Sequence, residues 1–258
     1  MIFGLKGLIA LGLIPSALLA GCQAGVDDRI SRAYSLGRHP TEANKNRIEA
    51  LLGDKERDVR ATALVVMGSI DRDRARGMAL SSLADPDGSV RAAAVGLCVD
   101  TVDAEMIHLL STRANDDPVW QVRARAIQAI ASSDDPVARR ALVRALSDPV
   151  RHVRRAALRA GVDHPGLLPV DLLASLIASD KDWENRVEAV LALGASKDSA
   201  AYAGLDAAAT DPNEFVRATA AGQRRELERA GVPRGGNPAK PVYSATFTSE
   251  RDPALVQC

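Results

Sequence analysis

Residues 148–157 read DPVRHVRRAA, and this frame of Asp, Val, Arg and Ala returns through most of the chain. Copies follow one another every 31 or 32 residues, with an Arg six places after each Asp and an Ala three places after each Arg. The six Asp/Arg pairs are Asp54/Arg60, Asp85/Arg91, Asp117/Arg123, Asp148/Arg154, Asp180/Arg186 and Asp211/Arg217. A fixed period of this length is typical of stacked helical repeats, because one such unit buries its apolar face only against its neighbours.

Apolar spacing within each copy predicts a helix. Val122, Ala126, Ile127 and Ile130 recur at the interval of a single buried helical face. A preceding apolar stretch, separated from this helix by an Asp-Pro turn in most copies, supplies a first helix. Aromatic residues make up only 3% of the chain, which favours closely packed helices over sheets. We therefore expect an all-α solenoid, an α-α superhelix of about six two-helix repeats.

The recurring Asp, Arg and Ala have structural explanations. The carboxylate is expected to accept free backbone N–H groups at the start of the second helix. The Arg of the same or the next repeat is expected to pair with it, forming a charged ladder along the array. The small Ala lets neighbouring helices approach closely.

The repeat resembles HEAT repeats, and most closely the HEAT-like repeats of phycobilisome lyases. The resemblance covers residues 41–230, within an array that we place at residues 40–230. It implies a right-handed superhelix whose second helices line a concave face that binds partners. The frame departs from the pattern at Lys55 and Lys181, which replace Pro, and at Asn185, which replaces Val.

Residues 1–21 have the pattern of a targeting segment, with Lys6 before an apolar run that ends in Leu19-Ala20-Gly21-Cys22. This ending resembles the lipobox of bacterial lipoproteins, which implies lipidation of Cys22. An uncleaved signal anchor and an ordinary secretory signal are the alternatives. Residues 22–26 are then a short tether, and residues 27–39 are a capping helix for the first repeat.

The rest of the chain offers little chemistry. Residues 231–258 are rich in Pro and Gly and are expected to form a mobile tail that ends in the free thiol of Cys258. The phase of Cys98 places it in the core. The sequence contains no phosphate loop, nucleophile elbow or His-Glu dipeptide, and its four His residues fall at different phases of the repeat. We expect no metal, no cofactor and no enzyme activity.

The remaining function that the sequence suggests is recognition of another protein. The two Trp residues, Trp120 and Trp183, share one phase of the repeat, and Arg151 has that phase between them. Trp and Arg often dominate binding energies, although each ring could instead pack over the turn on its neighbour. Arg125 and Arg159 are expected on the concave face. The partner-binding candidates are Trp120, Arg151, Trp183, Arg125 and Arg159.

Repeat four is rich in Arg, with a single acidic residue among seven basic ones: Arg139, Arg140, Arg144, Arg151, Arg154, Arg155 and Arg159. A basic patch for an anionic partner and an ordinary solvated helix face both fit this composition. The formal net charge of the chain is +0, so no global field attracts nucleic acid.

The sequence predicts a lipid-anchored scaffold that binds an unknown protein or peptide in the bacterial cell envelope, as a monomer. The surface used is either the concave face or the edge where helices meet turns. The alternatives are a HEAT-like lyase or chromophore-binding protein, and a scaffold that contacts anionic lipid or polysaccharide through repeat four.

Overall fold

A computed structural model describes residues 16–99 and 103–234, with side chains from residue 25 onward. These two ranges contain helices and turns and no β-strand. The predicted all-α fold is therefore confirmed. Residues 1–15, the side chain of Cys22 and residues 235–258 with Cys258 lie outside the described part.

The chain divides into two compact units, residues 1–130 and 131–258. The first unit contains α1 (Ser16–Gly37), α2 (Glu42–Ala50), a 3-10 helix (Leu51–Gly53), α3 (Arg57–Ile70), α4 (Arg72–Ser82), α5 (Gly88–Leu97), α6 (Ala104–Asp116) and α7 (Trp120–Ile130). The second unit contains α8 (Pro136–Ala145), α9 (Arg151–Asp163), α10 (Val170–Ser179), α11 (Trp183–Ala195), α12 (Ala201–Ala208) and α13 (Glu214–Arg229).

Helix pairs stack within each unit. The second helices of successive repeats pack on one another, α3 on α5 and α5 on α7 in the first unit, α9 on α11 and α11 on α13 in the second. Every Ala of the recurring frame is buried in this packing: Ala63, Ala94, Ala126, Ala157, Ala189 and Ala220. Each of these positions is so tightly enclosed that a larger side chain would have to separate neighbouring helices.

The first helix is longer than the sequence suggested. We expected a capping helix over residues 27–39 after a tether of residues 22–26, but α1 begins at Ser16 and continues to Gly37. The supposed tether is therefore helical, and it contains no Pro that would interrupt backbone hydrogen bonding. α1 packs on α3 as a second helix packs on the next.

The ladder Arg side chains connect consecutive repeats. Nη1 of Arg91 donates to the Asp85 carbonyl of its own repeat at 2.8 Å, while Nε and Nη2 donate to the two carboxylate oxygens of Asp117 in the next repeat at 2.7 and 2.8 Å. Arg60, Arg154 and Arg186 bind Asp85, Asp180 and Asp211 in the same way. Each guanidinium therefore fixes both the turn of its own repeat and its distance to the next.

The direction of these pairs corrects our expectation. We expected the Arg of the same or the next repeat to pair with each carboxylate, but the carboxylate of Asp117 binds Arg91 of the preceding repeat. Arg123, which belongs to the same repeat as Asp117, instead donates from Nη1 to the backbone carbonyls of Asp117 and Pro118, at 2.8 and 3.4 Å. The contact within one repeat therefore joins the guanidinium to the turn backbone and leaves the carboxylate to the repeat before.

Arg123 also differs from an ordinary surface Arg in its burial. Its side chain lies in the interior, as that of Arg91 does, although Arg residues are mostly exposed in proteins. Burial of a charged group is tolerated where its hydrogen bonds are made, and the Asp117 carbonyl accepts one of them. The sequence pattern gave Arg123 the same place in the ladder as the other five Arg residues and did not indicate this burial.

From the sequence we expected the ladder Asp to accept N–H groups of the second helix. The structure shows a different acceptor role. The Oδ1 of this Asp accepts the N–H two residues later, from the residue directly before the helix: 2.8 Å from Asp87 to Asp85 and 2.9 Å from Val119 to Asp117. The short Asp side chain reaches this donor in a local turn. Capping of the helix falls to other side chains, such as Asp87, Asp182 and Asn213.

The buried rung Arg91–Asp117 generates a stability prediction. Only 8% of the Arg91 side chain and 0% of that of Asp117 are exposed. Replacing Arg91 with Ala removes both of its hydrogen bonds to the buried Asp117 carboxylate and leaves it the more distant Arg113, at 3.9 Å. We therefore expect a loss of about 3 kcal/mol in the free energy of unfolding, the lower end of the range for a broken buried pair. Urea denaturation of both proteins measures this difference in the free energy of unfolding.

Arg57→Ala is the matched control, since Arg57 is 61% exposed and lies 3.4 Å from Asp87. Removing this exposed pair should cost about 1 kcal/mol or less. Equal losses for the two variants would show that burial does not give the ladder its strength.

Acid should weaken the ladder. Hydrogen bonds from Arg186 lower the pKa of Asp211 and exceed the opposing effect of burial. A carboxyl group with a lowered folded-state pKa stabilises the fold fully above its unfolded pKa of about 3.9, and this contribution is lost as the pH falls from there through the folded pKa. We expect the free energy of unfolding to decline in acid and Asp211→Asn to show a shallower decline. Urea denaturation from neutral to acid pH tests this, and parallel profiles for both proteins would contradict it.

Candidate functional site

The start of α11 and α13 exposes a pair of stacked aromatic rings. The ring centroids of Trp183 and Phe215 lie 5.5 Å apart with an interplanar angle of 28°. Trp183 is 41% exposed and Phe215 is 57% exposed. Trp183 therefore packs on the neighbouring repeat and also remains accessible to a partner.

A charged pair lies beside these rings. Nη1 of Arg151 is 2.8 Å from Oδ2 of Asp182, the residue that precedes Trp183 in the chain. Burial by itself raises the pKa of Asp182, but bonds from Arg151 and from the Asn185 and Glu184 N–H groups outweigh it, so the pKa is lowered. The carboxylate is therefore ionised at neutral pH. We call Arg151, Asp182, Trp183 and Phe215 the aromatic edge.

Polar contacts beneath the aromatic edge hold α9 against α11. Asn185, the residue that replaces Val in the frame, is fully buried. Its Nδ2 donates to the Arg151 carbonyl at 3.2 Å and to Asp180 Oδ2 at 3.3 Å, and its Oδ1 accepts from Nε of Arg155 at 3.3 Å. The guanidinium of Arg155 also contacts Glu184. The Asn therefore fixes the start of α11 relative to the backbone that carries Arg151.

The remaining predicted binding residues are not part of the aromatic edge. Trp120 begins α7 in the first unit and is half-buried, whereas Trp183 and Arg151 belong to the second unit. Arg125 is exposed and donates to the Ala92 carbonyl of α5 at 2.9 Å. Arg159 is exposed and lies 3.1 Å from Glu188 of α11. Both Arg side chains bridge neighbouring second helices.

Four of the seven Arg residues of repeat four pair with acidic residues of repeat five. Arg151, Arg154, Arg155 and Arg159 pair with acidic residues one repeat later, namely Asp182, Asp180, Glu184 and Glu188. The local count of charges missed these partners because they lie 26 to 31 residues away in the sequence. This pairing weakens the case for an anionic-ligand surface on repeat four.

Phe215 was missed as a member of the site. It lies 32 residues after Trp183, which is one period of the repeat, so their stacking has a sequence signal. Phe215 is one position beyond the phase of Trp183, at which repeat six carries Glu214.

Catalytic features are sparse in the described part of the chain. Cys98 is fully buried, and desolvation raises the pKa of its thiol to about 11, so it is not a thiolate at neutral pH. Residues 25–99 and 103–234 contain no group of three His, Cys, Asp or Glu residues arranged to hold a metal ion. A pocket of about 310 Å³ opens near the end of α13, lined by Gly194, Lys197, Glu226, Leu227, Arg229 and Ala230. Of the helices described, none combines the length and apolar character needed to cross a membrane.

Sequence comparison identifies the repeats. The family model for HEAT repeats matches residues 44–131, 107–161 and 160–223, which together span well over half of the chain. A search of curated proteins gives no match.

Solved structures with a similar fold include the Escherichia coli protein YibA, with a TM-score of 0.55, 20% identity and coverage of 77% of this chain and 75% of that one. An engineered protein has a TM-score of 0.52 and 18% identity, covering 75% of this chain and 99% of that one. Human deoxyhypusine hydroxylase has a TM-score of 0.46 and 21% identity, covering 78% of this chain and 79% of that one. At these identities, the likeness to the first two concerns the fold alone.

Proposed function

Since the chain belongs to the HEAT-repeat family, we propose that it is a lipid-anchored scaffold that binds another protein in the bacterial cell envelope. The aromatic edge is the observation that carries this proposal. It combines two exposed, stacked rings with an exposed Arg on a rigid helical support. Residues of these types supply much of the energy in protein interfaces.

The partner is a protein segment that presents an apolar side chain to Trp183 and Phe215. The stacked rings offer apolar area at little entropic cost, because their neighbours already restrict their motion. A hydrogen-bond acceptor on the partner would meet the exposed guanidinium of Arg151, whose charge is partly balanced by Asp182. An open edge of this kind suits an extended peptide or a helix more than a small molecule.

The scaffold is not an enzyme in this proposal. Its ionisable groups with shifted pKa values are mainly Asp and Arg side chains that pair with one another along the repeats and the aromatic edge. Perturbed groups can mark active sites, but structural ion pairs shift pKa values in the same way. The ladder accounts for these shifts without a reaction.

Substitution of Trp183 tests the binding surface. We expect Trp183→Ala to reduce capture of the partner by in-cell cross-linking about thirtyfold, as for an interface residue worth about 2 kcal/mol. The loss of stacking on Phe215 should lower the free energy of unfolding by only about 0.5–1.5 kcal/mol. Trp120→Ala, made separately, shows whether the other Trp contributes.

Tyr34→Ala is a control, because Tyr34 is a half-exposed aromatic residue of α1 in the first unit, whereas the aromatic edge belongs to the second. It should leave capture unchanged. Normal capture by Trp183→Ala would refute the proposed surface, and a large loss of stability would assign Trp183 a structural role instead.

The lipid anchor rests on the sequence Leu19-Ala20-Gly21-Cys22 and is tested separately. Stable attachment needs more than one acyl chain, which a lipidated Cys22 supplies. We expect Cys22→Ser to move the protein from the membrane fraction to the soluble fraction of fractionated cells. Cys258→Ser is the control and should stay with the membrane. Retention of the Cys22→Ser protein in the membrane fraction would contradict the anchor.

A further inference from the structure

Arg217 is the last Arg of the ladder, and it binds the backbone of its own turn as the other ladder Arg residues do. Its Nη1 donates to the carbonyls of Asp211 and Pro212 at 2.7 and 3.0 Å. In Arg60, Arg91, Arg154 and Arg186 the remaining donors, Nε and Nη2, bind the Asp of the next repeat at 2.7–2.9 Å. Within residues 25–99 and 103–234, no carboxylate pairs with these donors of Arg217. The ladder therefore ends in an oriented guanidinium that can bind one more carboxylate.

The surface beside Arg217 is also uncovered by described residues. Trp183 stacks on one face of Phe215, which nevertheless remains 57% exposed. Ala218 follows Arg217 and is exposed, whereas the equivalent residue of α9, Arg155, contacts Glu184 on the next second helix. α13 thus presents the side on which a further repeat would stack.

We propose that the C-terminal segment 252–258 binds this end of the array, with the Asp252 carboxylate accepting hydrogen bonds from Nε and Nη2 of Arg217. Asp252 is followed by Pro253, and four of the six ladder Asp residues are likewise followed by Pro. Asp252-Pro253 is the only Asp-Pro pair in the sequence after Arg217. The sequence therefore supplies one further copy of the turn that each ladder Arg binds.

The residues after Pro253 have side chains suited to packing near the exposed ring of Phe215. Adjacent repeats contact each other at equivalent positions. The residue three places after the ladder Asp of one repeat lies against a residue two to four places after the ladder Asp of the following repeat. Val119 lies against Gly88 in this way, and Phe215 against Trp183. Counted from Asp252, the same positions are Ala254, Leu255 and Val256. All three are apolar, and this register places them against Glu214, the residue next to Phe215. The segment therefore offers a carboxylate for Arg217 and apolar side chains close to the open part of Phe215.

The connection is long enough. Arg229 lies twelve positions after Arg217, a distance of about 18 Å along α13 at about 1.5 Å per residue. Residues 235–251 comprise 17 residues and can span about 55 Å when extended. This length is enough for Asp252 to reach Arg217.

The other end of the array shows the same kind of closure. Asp54, the first ladder Asp, lies 2.9 Å from Nε of Arg29 in α1, a helix outside the six repeats. The carboxylate that a second copy would offer to Arg217 in a head-to-tail arrangement is therefore already paired. This favours the chain's own tail over a second copy as the occupant.

Hydrogen–deuterium exchange of the full-length protein tests the proposal. Asp252→Asn removes the charge with little change of shape, and Glu250→Gln is the matched control two residues away. Because an exposed ion pair contributes modestly, we expect amides at the start of α13, residues 214–222, to exchange about three- to tenfold faster in Asp252→Asn. Glu250→Gln should exchange like the unsubstituted protein.

A second comparison separates the contact from a general charge effect. In an Arg217→Gln background, Asp252→Asn should cause no further increase in exchange, since its partner is already absent. Additive effects would overturn the contact. Unchanged exchange in Asp252→Asn, or equal effects of Glu250→Gln, would overturn it too. Protection that disappears on dilution would show that the tail comes from a second copy, which also contradicts the proposal.

Discussion

The bidentate bond from a ladder Arg to the next Asp, made by Arg60, Arg91, Arg154 and Arg186, is the constraint on which the stacking within each unit depends. Apolar packing brings second helices together, but a smooth surface of Ala, Leu and Val permits several relative positions. Arg91 removes this freedom by binding a backbone carbonyl of its own turn and both carboxylate oxygens of Asp117. Buried ion pairs are better attested as devices that fix register than as sources of net stability. The ladder fits that role, since a guanidinium bonded to two successive turns sets the distance between them.

The departures from the repeat show where this constraint is modified. Asn185 replaces a buried Val and is fully enclosed, which is costly for a polar side chain unless its hydrogen bonds are made. It makes them with Arg151, Arg155 and Asp180, so α9 and α11 have polar links in addition to the ladder. These extra links lie under the aromatic edge. A rigid support at this position reduces the entropy that a partner would lose on binding.

Most of the fold could be predicted because every rung needs the same two residue types at the same spacing. The direction of the bonds could not be predicted, since Nη1 of every ladder Arg donates to a backbone carbonyl of its own turn, and such acceptors leave no trace in residue identity. Arg29 was missed for a related reason. It lies 31 residues before Arg60, but Asp28 and Arg32 stand where the frame has Val and Ala. Its pairing with Asp54 depends on α1 continuing the stack, which a search for the full frame does not detect.

The candidate site was harder to predict because it lies at positions that the repeat leaves free to vary. Three residues before the ladder Arg, the six repeats carry Arg57, Gly88, Trp120, Arg151, Trp183 and Glu214. The ladder holds this edge through neighbouring backbone groups, so side chains there can change without loss of the stack. Such variation is what allows one fold to acquire different binding surfaces. At the same phase, Trp183 stacks on Phe215 and remains exposed, whereas Trp120 is half-buried. The surroundings of each repeat, and not its phase alone, therefore determine which of these side chains can meet a partner.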